Sequence, residues 1–172
     1  KIDFDKGRLH MMRSKLGLQI EDDNDKSFIL ELEDILHLTE IDMTIFFRNL
    51  SDFTKENTSH GLNIITESFY KPEEVSGNIE MRWFNWFEKY AERLKMENIS
   101  DKVRKDRMNS VNPKYVLRNY MAQLAIDETD KGDCSLIDEL FTMLKKPYDE
   151  QPEYEKWFAK RPDWARDKVG CS

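Results

Sequence analysis

The stretch Asn78-Ile79-Glu80-Met81-Arg82-Trp83-Phe84-Asn85-Trp86-Phe87-Glu88-Lys89-Tyr90-Ala91-Glu92-Arg93-Leu94 decides the fold class. At about 100° per residue, Ile79, Trp83, Trp86, Phe87, Tyr90 and Leu94 fall within a sector of about 100°, the width of a core-facing helical stripe. Four of these six are aromatic, a large apolar payload for one element. Such a stripe reads as core rather than as a base-stacking platform.

Helical spacing continues on both sides. A first helix is expected over about 4–16, stopped by Gly17, a natural left-handed terminator. The acidic run Glu21-Asp22-Asp23-Asn24-Asp25 suits the N-terminal end of a second helix, with Phe28, Ile29, Leu32, Ile35 and Leu36 as its buried stripe. A third begins near Asp42 and lines up Met43, Phe46, Phe47 and Leu50. Residues 54–61 and 71–77 read as loops around a short helix at 62–70. Downstream, Ser100 caps a basic helix.

Asn112-Pro113-Lys114-Tyr115-Val116-Leu117-Arg118-Asn119-Tyr120-Met121-Ala122-Gln123 then reads as the start of a long helix closed by Gly132, with Asn112 as cap and Pro113 at the first position. Val116, Leu117, Tyr120, Met121 and Leu124 form one stripe of it. Tyr115, Ala122 and Ile126 form a second, so both faces are expected to be covered. Ser135-Leu136-Ile137-Asp138 resembles a capping box for a helix burying Leu136, Ile137, Leu140, Phe141 and Leu144, ended by Pro147. Beyond Pro152 come short turns around Tyr154, Trp157 and Trp164.

Six glycines, five prolines and the near absence of β-branched alternation complete an all-α pattern. The expected architecture is an irregular bundle of about seven to nine helices. At 172 residues, one helical domain or subdomain over 1–172 is the default, with a mobile tail from about 150.

Charged residues make up 35% of the chain and its net charge is −7, which disfavours nucleic acid as a partner. Aromatic residues at 12% argue against disorder. No apolar run approaches a bilayer span, and no signal-peptide pattern opens the chain. Two cysteines, Cys134 and Cys171, are too few for a secreted disulfide framework; a reducing compartment, most simply a bacterial cytoplasm, fits better. Because the chain opens at Lys1 with a helical pattern starting almost at once, it is expected to be part of something longer.

Residues that carry chemistry are sparse. Kinase-like phosphoryl chemistry needs a glycine loop, a phosphate-binding lysine and acidic metal ligands, and the sequence has no such set. Asp34 and His37 share a helix face, but a di-metal bundle site needs a second pair and two more carboxylates. They read as a solvated acid beside a boundary histidine. No catalytic, cofactor-binding or metal-binding residue is therefore assigned. Lys102, Arg104, Lys105 and Arg107 read as a solvated basic face, with phosphate, RNA or an acidic partner domain as the alternative. Arg118, Asn119 and Gln123, placed between apolar stripes, need partners and mark a structural or interdomain polar site. For Arg118 the expected partner is a carboxylate or a helix-end carbonyl; contact with a nucleotide-binding part is the alternative. Cys134 is expected to be a small packing residue.

Several blocks occur together in order: Met12-Arg13-Ser14-Lys15-Leu16-Gly17-Leu18, Asp42-Met43-Thr44-Ile45-Phe46-Phe47-Arg48-Asn49-Leu50-Ser51, the run from Asn112 to Gln123, Ala125-Ile126 with Lys131-Gly132-Asp133, Pro147-Tyr148-Asp149-Glu150-Gln151, and Pro162-Asp163-Trp164-Ala165. With them, nearly the whole chain resembles the C-terminal region of the selenoprotein O family. These are pseudokinase-fold enzymes that transfer AMP from ATP to protein hydroxyls. The resemblance implies an ATP- and Mg²⁺- or Mn²⁺-dependent protein adenylyltransferase as the parent protein, in a bacterial cytoplasm or, in a eukaryote, a mitochondrion. It implies that the catalytic groups precede this segment, which alone would be inactive. The implied partners are the upstream nucleotide-binding lobes and protein substrates, with neither nucleic acid nor membrane. Family members often end in a Cys/Ser-rich motif with a redox role, which makes Cys171 in Gly170-Cys171-Ser172 a redox candidate; an inert terminal thiol is the alternative. The rival reading is a free-standing helical interaction module. A bare apolar face would favour the larger enzyme, and a fully polar surface would favour the module.

Overall fold

The computed structural model describes residues 2–166, with side chains from Lys6 onward. Among them are nine α-helices: α1 Ile2–Lys15, α2 Asp25–Leu36, α3 Met43–Leu50, α4 Gly61–Ile65, α5 Asn78–Lys95, α6 Asp101–Val111, α7 Asn119–Thr129, α8 Ser135–Leu144 and α9 Asp163–Arg166. Short 3₁₀ turns occur at Thr58–His60, Thr66–Ser68, Pro72–Glu74 and Pro152–Trp157. Extended pairing among the described residues is limited to one isolated bridge, Ile41 with Phe69. The fold is all-α, as the helical periods require. The chain divides into two compact units, residues 1–112 and 113–172.

The first unit is built on α5. Trp83, Trp86, Phe87 and Tyr90 are completely buried, and Leu94 nearly so. Helices α2 and α4 pack directly on α5, while α1 packs on α2 and α6. The stripe residues meet rings from other elements: Phe28 of α2 stacks on Trp86 at 5.1 Å between centroids, and Phe53 stacks on Phe87 at 5.3 Å. Phe46 of α3 lies 5.8 Å from Trp83. Each such pair adds about 0.5–1.5 kcal/mol beyond area burial. Gly61 lets α4 lie flush on this ridge, because a Cβ there would meet the Phe87 ring at 2.5 Å.

The helix ends follow the side-chain chemistry. Asp42 accepts from the Ile45 N–H at 3.1 Å, and Ser100 accepts from the Val103 N–H at 3.3 Å. Gly17 ends α1 at φ +72°, where a Cβ would also meet Arg104 Cγ at 2.7 Å. Met43, expected in the buried stripe of α3, is exposed in its first turn.

The run beginning at Asn112 departs from expectation. Asn112 closes α6 instead of opening a helix, and its N–H donates to the Met108 carbonyl at 2.8 Å. Residues 113–118 are not helical, and Lys114 and Tyr115 donate their N–H groups to the Pro147 carbonyl at 2.8 and 3.0 Å. Arg118 occupies the N-cap position of α7, and the N–H groups of Met121 and Ala122 reach its carbonyl. The helix is not covered on both faces: Tyr120, Met121 and Ala125 are buried, whereas Ile126 is exposed.

The second unit packs Tyr120, Met121 and Ala125 of α7 against Leu140 and Met143 of α8. Capping of α8 also differs from expectation. Cys134 holds the N-cap position, and the Asp133 carboxylate, not Ser135, accepts a backbone N–H, that of Ser135, at 2.8 Å. This hydrogen bond holds the Asp133 carboxyl below its ordinary range. Ile137 and Phe141, expected inside, are exposed, and Met143 is buried in their place. Cys134, expected to be a packing residue, is likewise exposed, at the N-cap position of α8. The segment expected to be a mobile tail is packed as far as Arg166: Gln151 and Ala165 are buried, with Tyr154, Trp157 and Phe158 against the same core.

Candidate functional site

The most concentrated buried charge lies in the first unit, around Arg93 in the last turn of α5. Its Nε donates to Asp25 Oδ1 at 2.7 Å and its Nη1 to Glu97 Oε1 at 2.8 Å. Its Nη2 donates to the Ile20 carbonyl. Arg13 of α1 lies 3.6 Å from the other Asp25 oxygen and bonds Glu21 at 2.6 Å. Glu97 in turn accepts the Gln19 N–H at 2.9 Å, and Asp25 accepts that of Asp22 at 3.1 Å. Burial opposes the charged form of Arg93, but the bonds and charges of Asp25 and Glu97 outweigh it and hold its pKa above the ordinary value. Removing one member would strand a buried charge, at a cost of about 3–5 kcal/mol. The network fastens the 18–22 loop to α2 and α5, beside an open cleft of about 460 Å³ that includes Asn24, Glu31 and Lys89.

A second bracket ties loop carbonyls to the core. Arg104 is almost fully buried, and it reaches the Phe53 carbonyl, the Ser51 carbonyl at 3.4 Å and the Tyr90 hydroxyl at 3.3 Å. The Tyr90 hydroxyl donates to the Leu16 carbonyl at 2.8 Å. Burial pushes the Tyr90 phenol up to about 12, with Arg104 offsetting part of that rise. Arg48 donates to the Asn109 and Asn112 carbonyls, capping α6, and Asn112 donates to the Lys15 carbonyl at 2.9 Å.

In the second unit the corresponding hub is Lys114, with Glu150 and Glu155 each 2.7 Å from its Nζ. Burial lowers its pKa, but the two carboxylates outweigh burial and raise it overall. Tyr115 donates to the Gln151 carbonyl at 2.9 Å, and Gln151 donates to the Met143 and Lys146 carbonyls at the end of α8. Arg48, Asn112 and Gln151 thus fasten neighbouring segments to helix ends.

The residues singled out from sequence behave differently from one another. Gln123 bonds Asp127 at 2.7 Å, one turn along α7. Arg118 is partly buried, and Asn119 is exposed in the first turn of α7. Arg118 is the N-cap residue that precedes α7, while Asn119 and Gln123 lie within the helix. The basic run on α6 is not a uniform solvated face. Lys102 pairs with Asp106, Lys105 with Asp52 and Arg107 with Gln19, while Arg104 points inward. Asp34 and His37 are exposed, and the His37 ring bonds the Glu33 carbonyl. No group of three or more potential metal-ligating side chains occurs among the described residues. Cys171 lies outside them. Sequence reasoning missed Arg93, Asp25, Glu97 and Lys114; the i,i+4 spacing of Arg93 and Glu97 was the one available signal.

Comparison with known proteins adds the decisive observation. A family model described as protein adenylyltransferase SelO matches residues 3–145, which takes in the Arg93 network, the Arg104 bracket and Lys114. The chain belongs to the SelO family. It is 59% identical over 163 residues to a protein nucleotidyltransferase YdiU from Flavobacterium johnsoniae, covering 94% of this chain and 31% of that protein. A protein of the same description from Rhodopirellula baltica is 42% identical over 182 residues, covering 99% and 34%. One from Aromatoleum aromaticum is 40% identical over 169 residues, covering 98% and 32%. The chain thus spans about a third of the length of these SelO-family relatives. No helix among the described residues is long and apolar enough to cross a membrane.

Proposed function

We propose that this chain is the supporting helical region, C-terminal in its parent, of a protein adenylyltransferase with a pseudokinase fold. In the proposed reaction a Ser, Thr or Tyr hydroxyl oxygen of a protein substrate attacks the α-phosphorus of ATP. The bond to the β-phosphate oxygen breaks, pyrophosphate leaves, and the hydroxyl proton passes to a base outside residues 1–172. Bound Mg²⁺ or Mn²⁺ would neutralise the pyrophosphate charge.

The observation that carries this reading is the family match over 3–145 in a chain spanning a third of its relatives. The use of charge agrees with it: Arg93, Arg104 and Lys114 are spent on carboxylates and loop carbonyls, which is scaffold chemistry. The bare apolar side chains of α7 and α8 favour part of a larger enzyme over a free-standing interaction module. Cys171 is retained as the candidate redox residue of the tail.

The test compares the full-length protein with residues 1–172, using ATP labelled at the α-phosphate, Mg²⁺ or Mn²⁺ and a mixture of acceptor proteins. Label is expected on acceptors with the full-length protein and at background with the segment. Transfer by the segment would overturn the division of labour, and none by the full-length protein would overturn the activity.

A further inference from the structure

Among the described residues of the second unit, a face of α7 and α8 is uncovered. Leu117, Ile126, Ile137 and Phe141 are 56, 54, 45 and 61% exposed, and all four line one groove of about 420 Å³. Single exposed apolar residues are ordinary on a protein surface, but four large ones along one concave strip are not. The polar part of the lining is Thr129 and Asp130. The Thr129 hydroxyl is already committed to the Ala125 carbonyl at 2.7 Å, which leaves the Asp130 carboxylate as the charged side chain of the lining, while the Lys145 ammonium sits 4.4 Å from the Phe141 ring centroid.

We propose that this groove seats an amphipathic helix from another part of the same, longer polypeptide. That helix would carry large apolar side chains at i, i+3 or i+4, and i+7, with a Lys or Arg placed to meet Asp130. The proposal rests on the reading of this chain as part of a larger enzyme. Three observations favour an intramolecular helix. Every lining residue falls within 117–144, inside the span that matches the SelO family. About two thirds of the length of the relatives lies outside the region this chain matches, which supplies ample sequence for an occupant. Two consecutive helices joined by a turn at 130–134 present ridges between which a third helix packs, and the Asp130 carboxylate in the lining favours a basic side chain on it.

The test replaces Phe141, which is solvent-exposed in residues 1–172, by cysteine in both the full-length protein and residues 1–172. Iodoacetamide labelling at position 141 is then followed by peptide mass spectrometry. Labelling at least tenfold slower in the full-length protein than in the dilute segment is the expected result, and Asp130→Lys should speed it in the full-length protein. Equal rates would overturn the proposal. So would slow labelling of the segment: if dilution relieves it, a second copy is the occupant, and if dilution does not, the cover lies within residues 1–172. AMP transfer measured on the same full-length sample separates the two readings. Protection without transfer sinks the adenylyltransferase assignment alone, whereas transfer without protection sinks the docking helix alone.

Discussion

Trp86 in α5 and Phe141 in α8 are both large aromatic side chains on the apolar stripe of an amphipathic helix, yet Trp86 has no solvent exposure and Phe141 keeps 61%. The difference lies in what surrounds each helix. Around α5, rings from α2, α3 and the Phe53 turn close over the stripe: Phe28 lies 5.1 Å from Trp86, Phe46 5.8 Å from Trp83 and Phe53 5.3 Å from Phe87. Around α8, the buried side is taken by Leu140 and Met143, and the next sector of the stripe has no cover among the described residues of its unit. Periodicity reports that a helix has an apolar side; whether that side is filled depends on how many other elements are present to pack on it.

The largest effect should come from Trp86→Ala. Losing a fully enclosed indole costs about 3–5 kcal/mol, a large share of the stability of a small domain. Urea denaturation followed by helical circular dichroism should show the first unit unfolding at much lower denaturant; a midpoint unchanged from wild type would break the contrast with Phe141.

An intermediate effect is expected from pH. The folded-state pKa of Tyr90 is raised from 10.0 to about 12. Its contribution is therefore fully present below pH 10 and is lost as pH rises through the window from 10 to about 12, to the extent of about 2–3 kcal/mol. Comparing denaturation of wild type and Tyr90→Phe across that window isolates this term from lysine titration. Wild type should lose more stability than the variant, and parallel curves would show that the phenol is not enclosed as described.

Smallest of all should be Phe141→Ser in residues 1–172. It removes a half-exposed ring and its contact with the Lys145 ammonium, 4.4 Å from the ring centroid, so the change should stay within about 0.5 kcal/mol. A loss approaching that of Trp86→Ala would mean that the groove is already filled.

Reading the chain without coordinates located α1, α2, α3, α5 and α6 closely, because their caps and stripes are local. Asp42 and Ser100 cap where their side chains alone would place them, and Gly17 turns where a left-handed residue is needed. Asn112-Pro113 carried an equally good local signal for a helix start and was misleading. The Lys114 and Tyr115 N–H groups meet the Pro147 carbonyl, more than thirty residues away, a partner that no local signal reports. The polar hubs were hidden for the same reason. Nothing near Asp25 in sequence foretells Arg93, and nothing near Lys114 foretells Glu150 and Glu155.

Short-range chemistry in the residues themselves settled that this protein is helical and where most of its helices begin and end. Those properties depend on neighbours within one or two turns, where backbone bonding and side-chain periodicity act. Folding in three dimensions decided which charges are buried, that 113–118 stays out of a helix, and that Phe141 faces solvent while Trp86 does not. Those outcomes depend on partners distant along the chain, and a buried charge or an uncovered ring is defined only by what the assembled structure brings beside it.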